Sequence, residues 1–484
     1  MSVFHPALFI VGVIALMFSL LMVLPVALLA FGEHPDWAAF VTGSGICLAS
    51  GLLLVFRFRG SLKRLRPREL FLITVMSWIA ASCFGALPFM LSDYHFTAAD
   101  AFFETVSGIT TTGSTVIVGL DSMPSDILLW RSLLTWLGGI GVIGMAVAVL
   151  PFLQVGGMRL FKAESSDWSE KALPRARVLA KSLVLVYLVL SVLCAAAYVA
   201  AGMDLFDAVN HAMCTIATGG FSVWDSSFGH YRSSMAIHWI GILFMVLGAL
   251  PFVLYVRFWG QFRPGIILND SQVRGFLLLL ILASLSLAFL QVHTSGAPLA
   301  QALTLAAFNV TSIVTTTGFV SGDYSQWGSF AVAVFFFLAF VGGCSGSTSG
   351  GMKIFRFQLS LILVHEQVRK LLHPHGVFSR LYNGRKVPGD IIVSAVAFSF
   401  MYFMAVVVIT LILAVLGLDL VTSLSGAASA LGNIGPGLGG IIGPVGTFKS
   451  LPDAAKWVLS AGMLLGRLEL LAFVVVLTAD FWKD

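Results

Sequence analysis

The sequence predicts an all-α polytopic membrane protein with about ten transmembrane helices. It also predicts four re-entrant pore helix–filter loops in a pseudo-fourfold arrangement around one pore. Three observations support this fold class: the apolar composition, the number of long apolar runs, and a Thr/Gly-rich motif that recurs four times. Of the 484 residues, 58% are hydrophobic and 11% are charged, and the mean hydropathy is +0.96. A soluble domain of this composition would expose large apolar patches, so we expect a lipid bilayer around the chain.

Apolar runs long enough to cross a bilayer follow one another along almost the whole chain. A helix needs about 20 apolar residues to span a hydrocarbon layer about 30 Å thick. The first run is too long for a secretory signal and lacks a basic n-region and a cleavage site, so we expect a retained helix. Little sequence is left for a soluble catalytic domain. The predicted spans are 5–31, 36–57, 70–91, 127–153, 178–201, 234–258, 273–294, 328–352, 390–416 and 455–480.

Basic residues concentrate in alternate loops and thereby predict the orientation. Because positively charged loops face the cytoplasm, we expect these loops and both termini to be cytoplasmic. An even number of spans agrees with this arrangement. The basic clusters lie at 57–68, 159–181, 257–274 and 353–386, and Lys483 adds a charge at the C-terminal end.

Each of four loops on the opposite side contains a short amphipathic stretch followed by a Thr/Gly-rich run. The runs recur at intervals of about 100 residues, each between two spans, which indicates an internally repeated unit. One Thr-Thr-Gly in a loop would carry no weight, but four in equivalent positions predict a pore. They read Thr-Thr-Gly-Ser-Thr at 111–115, Ala-Thr-Gly-Gly-Phe-Ser at 217–222, Thr-Thr-Thr-Gly-Phe at 315–319 and Gly-Asn-Ile-Gly-Pro-Gly at 432–437.

Each amphipathic stretch is predicted to form a short helix that enters the membrane and stops midway. Asp100, Asp204 and Asp419 begin three of these helices and Pro298 begins the fourth, and both residue types favour a helix N-terminus. The negative end of each helix dipole then points at the membrane centre and favours a cation. The run that follows cannot be helical, and non-helical backbone survives at this depth only where it borders a polar cavity. Glycine permits the backbone turn that aims successive carbonyls at one axis.

The eighth apolar run is interrupted by small residues from Val341 to Lys353. This stretch is a poor helix, because glycine costs about 1 kcal/mol per position relative to alanine and hydroxyl side chains compete for backbone hydrogen bonds. We therefore predict an irregular intramembrane loop, with close helix packing through small residues as the alternative. The predicted loop consists of Gly342, Gly343, Cys344, Ser345, Gly346, Ser347, Thr348, Ser349, Gly350 and Gly351.

Arg467 lies in the middle of the last predicted span. A charge at this depth is costly and usually faces a cavity or a partner. Glu469, two residues further on, points to another side of the helix, so it cannot easily pair with Arg467 and is expected to pair within the bundle. A salt bridge from Arg467 to another helix is the structural alternative to a role on the ion path.

These segments resemble the Trk/Ktr/HKT superfamily of potassium transporters, and most closely the TrkH-type membrane subunit of bacterial Trk systems. The resemblance covers essentially the whole chain. It implies potassium uptake across the bacterial cytoplasmic (inner) membrane through a gated, selective channel-like pore, with K⁺ bound in the filter and no organic cofactor in this chain. It also implies a homodimer and a cytosolic nucleotide-binding regulatory subunit, TrkA-like, on the cytoplasmic face, although the basic loops could be topology signals alone.

The resemblance further implies a division of the chain and a set of site residues. Two extra N-terminal helices occupy 1–66, and four pore repeats follow at 67–155, 156–262, 263–376 (with a broken second helix) and 377–484. Arg467 and the loop 342–351 resemble the family's gate. The implied filter residues are Thr111, Thr112, Gly113, Ala217, Thr218, Gly219, Thr316, Thr317, Gly318, Asn433, Ile434 and Gly435.

Within this filter, one repeat favours a particular ion and another departs from the common pattern. In the family, glycine at the position of Gly113 goes with potassium selectivity, whereas serine there goes with sodium transport. Asn433 and Ile434 stand where other repeats have threonine, so this quarter is expected to coordinate ions through backbone carbonyls only. Each repeat has one marker glycine, which predicts a short filter.

Other function classes remain as alternatives. A sodium- or proton-coupled potassium symporter would keep the same pore. A secondary transporter of an organic solute would explain broken helices, but four equivalent filters indicate one axial cation path. An intramembrane enzyme is disfavoured, because the sequence contains no paired acids, no nucleophile–base pair and no phosphate-binding Gly-rich motif followed by Lys-Ser/Thr.

Overall fold

The computed structural model describes residues 4–27, 36–60, 66–148, 172–468 and 470–483. Within these ranges the secondary structure is helical apart from one two-stranded hairpin. Seven of the described helices are long and apolar enough to cross a membrane, and a sharply bent helix pair makes an eighth span if it is counted as one. The chain is a multi-pass membrane protein, as its composition predicts.

Two N-terminal helices precede the repeated part of the chain. Helix α1 (Phe4–Leu21) is followed by α2 (Val23–Ala27) and packs along α3 (Trp37–Arg57). A Cβ built on Gly12 would lie 2.8 Å from the Cβ of Leu54, and one on Gly51 would lie 2.8 Å from the side chain of Leu16. These glycines therefore let the two backbones approach closely, which is how helices associate in lipid.

Four units follow, and each contains a long helix, a short helix, a non-helical arc and a second, often broken, helix. Unit 1 contains α4 (Pro67–Gly85), α5 (Leu87–Leu91), α6 (Ala98–Ile109) and α7 (Ser125–Ala148). Unit 2 contains α8 (Ala172–Ala200), α9 (Leu205–Ile216), α10 (Met235–Ala249) and α11 (Phe252–Gln261). The side of the molecule on which the short helices begin is termed the upper side, and the opposite side is termed the lower side.

The third and fourth units have more breaks than the first two. Helix α12 (Gly265–Leu268) leads into unit 3, which contains α13 (Ser271–Ser295), α14 (Leu299–Val314), α15 (Ser329–Leu338) and α16 (Ile354–Leu372). Unit 4 contains α17 (Gly389–Val415), α18 (Leu420–Gly432), α19 (Gly439–Ile442), α20 (Asp453–Arg467), α21 (Leu471–Leu477) and α22 (Ala479–Trp482). The short helices are thus α6, α9, α14 and α18, one in each unit.

The outward faces of the long helices are apolar. On α13, large side chains recur every three or four residues and form one exposed stripe, as expected for a helix surrounded by lipid. The helix begins where Asp270 accepts hydrogen bonds from the backbone and ends at Gly296, which has a φ of 64°. The stripe consists of Leu278, Ile281, Leu282, Leu285 and Phe289.

Three of the predicted spans are broken rather than continuous. The run 234–258 bends by 93° between α10 and α11, because Pro251 has no N–H and cannot continue the helix. The run 328–352 is helical only over α15, and the run 455–480 is interrupted after Arg467. The break in the run 328–352 is the one predicted from its small residues, whereas the breaks in the other two runs were not predicted, and the fold class is unchanged. The predicted ends 28–31 and 149–153 lie outside the described residues.

A small hairpin on the lower side holds α16 to the start of α13. It pairs β1 (Leu381–Tyr382) with β2 (Arg385–Lys386). Hydrogen bonds from Arg380 and Lys370 lower the pKa of Glu366, on α16, to about 2. Asn383, in the turn of the hairpin, donates a hydrogen bond to the carboxylate of Asp270 over 2.9 Å.

Candidate functional site

Three of the four short helices begin at the predicted residues. Asp419 occupies the N-cap of α18 and accepts a hydrogen bond from the backbone N–H of Thr422 over 3.0 Å. Asp204 and Pro298 occupy the N-caps of α9 and α14 without a side-chain cap bond. The Asp and Pro signals therefore identify these starts correctly.

The first short helix begins three residues earlier than predicted. Its N-cap is Thr97, whose hydroxyl accepts a hydrogen bond from the backbone N–H of Asp100 over 3.1 Å. Asp100 is therefore in the first turn, and its buried carboxylate binds the ammonium groups of Lys456 and Lys449 at 2.7 and 2.8 Å. Both lysines belong to unit 4, so this ion-pair cluster joins units 1 and 4 on the upper side. The sequence could not predict it, because about 350 residues separate the partners.

All four short helices end in the same backbone turn. One non-glycine residue in each has a left-handed conformation: Thr111, Thr218, Thr316 and Asn433, with φ between 51° and 56°. In each unit the N–H of the following residue donates to the carbonyl five residues back, as in a helix C-terminal motif. Such a φ is uncommon for a side-chain-bearing residue and is typical of functional sites.

This shared turn fixes how the four arcs correspond. We define the arcs as 110–113, 217–220, 315–318 and 432–435. The last residue of each is a glycine with positive φ: Gly113 (87°), Gly220 (68°), Gly318 (86°) and Gly435 (113°). By this backbone register the glycine that matches Gly113 in unit 2 is Gly220, one residue after the Gly219 chosen from the sequence. Gly219 corresponds to Thr112 of unit 1. From the sequence alone, either Gly219 or Gly220 could be aligned with Gly113.

The arcs close into a ring through these four glycines. In every unit a Cβ built on the glycine would collide with a backbone carbonyl oxygen of the next unit, and the last contact returns to the first unit. No side chain fits at these positions, so the ring requires four glycines. The contacts run from Gly113 to Gly219 (2.5 Å), from Gly220 to Thr317 (2.0 Å), from Gly318 to Ile434 (1.9 Å) and from Gly435 to Thr112 (2.8 Å).

This ring brings together chemical groups that suit a dehydrated cation. Rings of backbone carbonyls can replace a hydration shell, and the negative ends of the four short helices converge on the same place. Threonine hydroxyls are paired within their own arcs, Thr110 with Thr112 at 2.7 Å and Thr315 with Thr317 at 2.8 Å. In unit 4 the amide of Asn433 instead donates to the Thr112 hydroxyl over 3.1 Å.

The predicted loop lies at the inner ends of the short helices. It is irregular from Ala339 to Lys353, so the alternative of helix packing through small residues does not apply. Because it touches units 2, 3 and 4 at their helix ends, the loop lies under the ring. Three hydrogen bonds join it to them: from Thr218 Oγ1 to Thr348 Oγ1 (3.2 Å), from Gly350 N–H to Thr316 Oγ1 (2.6 Å) and from Gly351 N–H to the Gly432 carbonyl (2.9 Å).

The loop is held in shape by its own small side chains. The hydroxyl of Ser349 accepts a hydrogen bond from the N–H of Gly343 over 2.8 Å, and the hydroxyl of Ser347 donates to the Cys344 carbonyl over 2.6 Å. Gly342 has a φ of 74°, and a Cβ there would lie 2.5 Å from the Gly350 carbonyl oxygen. The loop therefore folds back tightly on itself and tolerates no larger residue at that crossing.

The break between α10 and α11, which was not predicted from the sequence, holds the loop. The carbonyl of Ala249, the last residue of α10, accepts a hydrogen bond from the N–H of Cys344 over 2.9 Å. The N–H of Phe252, the first residue of α11, donates to the Gly346 carbonyl over 3.0 Å. A broken helix leaves such groups unpaired, and the loop satisfies them. Pro251 inside an apolar run was the available signal.

Arg467 is the last residue of α20 rather than the middle of a span. Its side chain is buried, and Nη1 donates to the Thr348 carbonyl over 3.0 Å. Gly466 brings this helix end against α18, since a Cβ there would lie 2.0 Å from the Leu431 carbonyl oxygen. A cation is favourable at a helix C-terminus. Glu469 and its predicted pairing lie outside the described residues.

Comparisons with known proteins agree with this architecture. The TrkH family model, described as a cation transport protein, matches residues 37–483. A Trk system potassium uptake protein TrkI from Halomonas elongata is 49% identical over 482 residues, 99% of this chain and 97% of that protein. The Escherichia coli K12 protein TrkH is 36% identical over 98% of both chains. The crystal structure of the potassium transporter TrkH from Vibrio parahaemolyticus is 35% identical, covers 100% of both chains and superposes with a TM-score of 0.91.

Proposed function

The chain belongs to the TrkH family of cation transport proteins, and from this premise we propose that it takes up potassium through the ring of four arcs. The observation that carries the proposal is the closed cycle of glycine-to-carbonyl contacts from unit 1 through unit 4 and back. We infer that this cycle encloses one axial passage bordered by backbone oxygens. A passage of this kind passes a cation that can exchange its water shell for carbonyl oxygens.

Potassium is the proposed ion for two reasons. The relatives TrkI of Halomonas elongata and TrkH of Escherichia coli are potassium uptake proteins. In addition, residue 113 is a glycine, and the family resemblance associates glycine at this position with potassium and serine with sodium transport. The proposed filter is Thr111–Gly113, Ala217–Gly219 together with Gly220, Thr316–Gly318 and Asn433–Gly435.

A gate beneath the ring is part of the proposal. The loop 342–351 obstructs the passage below the ring, and Arg467 adds a positive charge that repels cations there. The contact of Arg467 with Thr348 and the seating of the loop in the break at Pro251 support this assignment. Opening would require the loop to leave the helix ends it is bonded to.

The remaining parts of the proposal concern topology and assembly. Both termini and the lower side face the cytoplasm of a bacterial inner membrane, which makes the upper side the ion entrance. We divide the chain into an N-terminal pair of helices at 1–66 and pore repeats at 67–155, 156–262, 263–376 and 377–484. Two chains form a homodimer, and a TrkA-like nucleotide-binding subunit docks on the basic lower side.

Ion flux into proteoliposomes tests the function directly. Purified protein is reconstituted, and uptake of K⁺, Rb⁺, Na⁺ and Li⁺ is measured with and without an imposed proton gradient. The expected result is K⁺ and Rb⁺ flux well above Na⁺ and Li⁺ flux, independent of the proton gradient. Absence of K⁺ flux from folded protein would overturn the proposal, and flux that requires a proton or sodium gradient would favour the symporter.

A substitution in the ring tests the ion assignment. We expect Gly113→Ser to lower the preference for K⁺ over Na⁺, because the new Cβ would lie 2.5 Å from the Gly219 carbonyl oxygen and distort the carbonyl arc. Unchanged selectivity in this variant would contradict the filter assignment even if K⁺ flux is observed.

A further inference from the structure

In units 1, 2 and 3 one position on the short helix contacts the non-helical segment that leaves the ring, which we call the outgoing strand. It lies seven residues before the left-handed residue, so the shared turn makes it equivalent in all four units. The four residues differ in chemistry: one is an acid, one an imidazole, one an amide, and one has no side chain. They are Glu104, His211, Asn309 and Gly426.

In units 2 and 3 this residue ties the outgoing strand with neutral hydrogen bonds. His211 Nε2 lies 2.9 Å from the hydroxyl of Ser222, two residues after Gly220. The amide of Asn309 donates to the hydroxyl of Ser321 over 2.8 Å and accepts from its backbone N–H over 3.2 Å. Each strand is thus fixed to its own short helix, within a single unit.

In unit 1 the tie is ionic. The carboxylate of Glu104 accepts hydrogen bonds from the backbone N–H of Val116 (2.9 Å) and the hydroxyl of Thr115 (3.0 Å), three and two residues after Gly113. It also pairs with the guanidinium of Arg131, on α7, at 2.8 Å. The side chains of Glu104 and Arg131 are 0% and 2% exposed, so the pair is shielded from solvent.

Arg131 also contacts unit 2. Its Nη1 donates to the backbone carbonyl of Ser222 over 2.9 Å, and its guanidinium lies 4.1 Å from the centre of the Phe221 ring. Ser222 is also the residue held by His211. The strands leaving two neighbouring arcs are therefore joined through one guanidinium group.

Burying an ion pair usually costs more than an apolar or neutral pair of the same size. The equivalent positions in the other three units are neutral, so the fold of a unit does not require a charge there. What the charged pair adds is the connection between two arcs. The planar guanidinium of Arg131 donates from three nitrogens to Glu104, Ser222 and Thr115, which holds these groups more rigidly than a single neutral hydrogen bond.

We propose that Glu104 and Arg131 are positioning residues that fix the spacing of arcs 1 and 2 and thereby set the discrimination between potassium and sodium. The inference rests on the proposed function of the ring. Sodium is the smaller ion, so arcs that can move inward would accommodate it, whereas arcs held apart exclude it. Neither residue contacts the ion.

Three variants test the inference in full-length protein in proteoliposomes. Glu104→Gln keeps the side-chain shape and removes the negative charge. Arg131→Lys keeps the positive charge and removes the planar guanidinium group. The double variant Glu104→Gln with Arg131→Gln removes both charges. Asp225→Asn is the matched control, because Asp225 also joins units 1 and 2, accepting hydrogen bonds from Gly119 and Leu120, but lies outside the ring. The readouts are the K⁺/Na⁺ flux ratio, total K⁺ flux per folded protein, and monodispersity in detergent.

We expect the K⁺/Na⁺ ratio to fall by about threefold to tenfold in both single variants, a range typical of coupling through supporting residues. K⁺ flux per folded protein should be retained, and Asp225→Asn should keep the wild-type ratio. The ratio is the decisive measurement, since a purely structural role would change the amount of folded protein and leave the ratio alone. An unchanged ratio in folded Glu104→Gln and Arg131→Lys overturns the inference.

Failure to fold is also informative. If both single variants misfold but the doubly neutral variant folds with a lowered ratio, the inference holds. If the doubly neutral variant folds with the wild-type ratio, or if all three misfold, the pair is structural only and the inference is overturned. Absence of K⁺ flux from the wild-type protein would instead overturn the proposed function on which the inference rests.

Discussion

The guanidinium of Arg467 donates a hydrogen bond from Nη1 to the carbonyl oxygen of Thr348 over 3.0 Å. This bond joins the C-terminal end of α20 to the middle of the loop beneath the ring. The other two nitrogens, Nε and Nη2, have no hydrogen-bond partner within the described part of the chain. A buried cation held by one bond to a loop can both repel ions and hold the loop closed.

Replacing Arg467 should increase basal flux. Arg467→Ala removes the bond to Thr348 and the buried charge, and we expect K⁺ flux in proteoliposomes to rise by at least about threefold, since even ~0.7 kcal/mol of lost barrier has that effect. Arg467→Lys keeps the charge without the guanidinium and should give an intermediate flux. Lower flux from a monodisperse Ala variant would contradict the gate assignment.

The hydroxyl of Thr348 should contribute to loop closure. It lies 3.0 Å from the carbonyl oxygens of Ile216 and Gly248 and accepts a bond from Thr218. Thr348→Val keeps the shape and loses these bonds, so basal K⁺ flux should rise, and removing residues within 345–350 should raise it further. Ser347→Ala is the control, because its hydroxyl bonds only within the loop, and equal flux changes in the two variants would argue against the prediction.

The two glycines of unit 2 should respond differently to alanine. At Gly220 a Cβ would lie 2.0 Å from the Thr317 backbone carbonyl oxygen, which cannot move without opening the ring, so Gly220→Ala should abolish selective flux. At Gly219 the obstacle is Cγ2 of Thr135, at 2.1 Å, which can be removed.

Second-site rescue separates these two cases. Gly219→Ala combined with Thr135→Ser should recover flux, because Ser lacks Cγ2 and keeps the hydroxyl that donates to the Arg131 carbonyl. Gly220→Ala combined with the same change should remain inactive. Rescue of Gly220→Ala, or failure of the Gly219→Ala rescue in folded protein, would return the register to the sequence-based choice.

The sequence was most informative where a local signal has one physical meaning. Asp419 and Pro298 mark helix starts, and the glycine-rich stretch after Val341 marks an irregular loop, because these residues act on their own backbone. The prediction was less accurate where two neighbouring residues carry the same local signal. Gly219 and Gly220 both permit a left-handed backbone, and only the folded chain distinguishes them, through the left-handed turn at Thr218 and the contact of Gly220 with unit 3.

Partners distant in the chain were not predictable from a single sequence. The contacts of Arg131 with Glu104 and Ser222 depend on how units 1 and 2 meet. The bend at Pro251 was likewise missed, because a proline in an apolar run permits either a kinked span or a break. The loop that fills this break lies almost 100 residues further on, so only the assembled fold decides between the two.

The lower-side ion pair of Glu366 should stabilise the protein in a pH-dependent way. Bonds from Arg380 and Lys370 lower the pKa of Glu366 from 4.5 to about 2. Because the folded pKa is depressed, the contribution is present above pH 4.5 and is lost as the pH falls towards 2. Glu366→Gln should therefore lower Tm equally at pH 7 and pH 5, and the difference from wild type should shrink below pH 4.5. Asp480→Asn, in an exposed pair with Lys483, should show no such difference.

The upper-side cluster around Asp100 should be a major source of stability between units 1 and 4. Lys456→Met leaves the buried carboxylate of Asp100 with only the half-exposed Lys449, and breaking a buried pair in this way typically costs about 3–5 kcal/mol. Lys449→Met should cost no more than about 1 kcal/mol, as for other exposed pairs. Asp100→Asn combined with Lys456→Met should recover much of the loss, because no unpaired charge remains buried. Thermal and denaturant unfolding in detergent measure all three, and an equal loss in the Lys456 and Lys449 variants would mean that burial does not decide the strength of this contact.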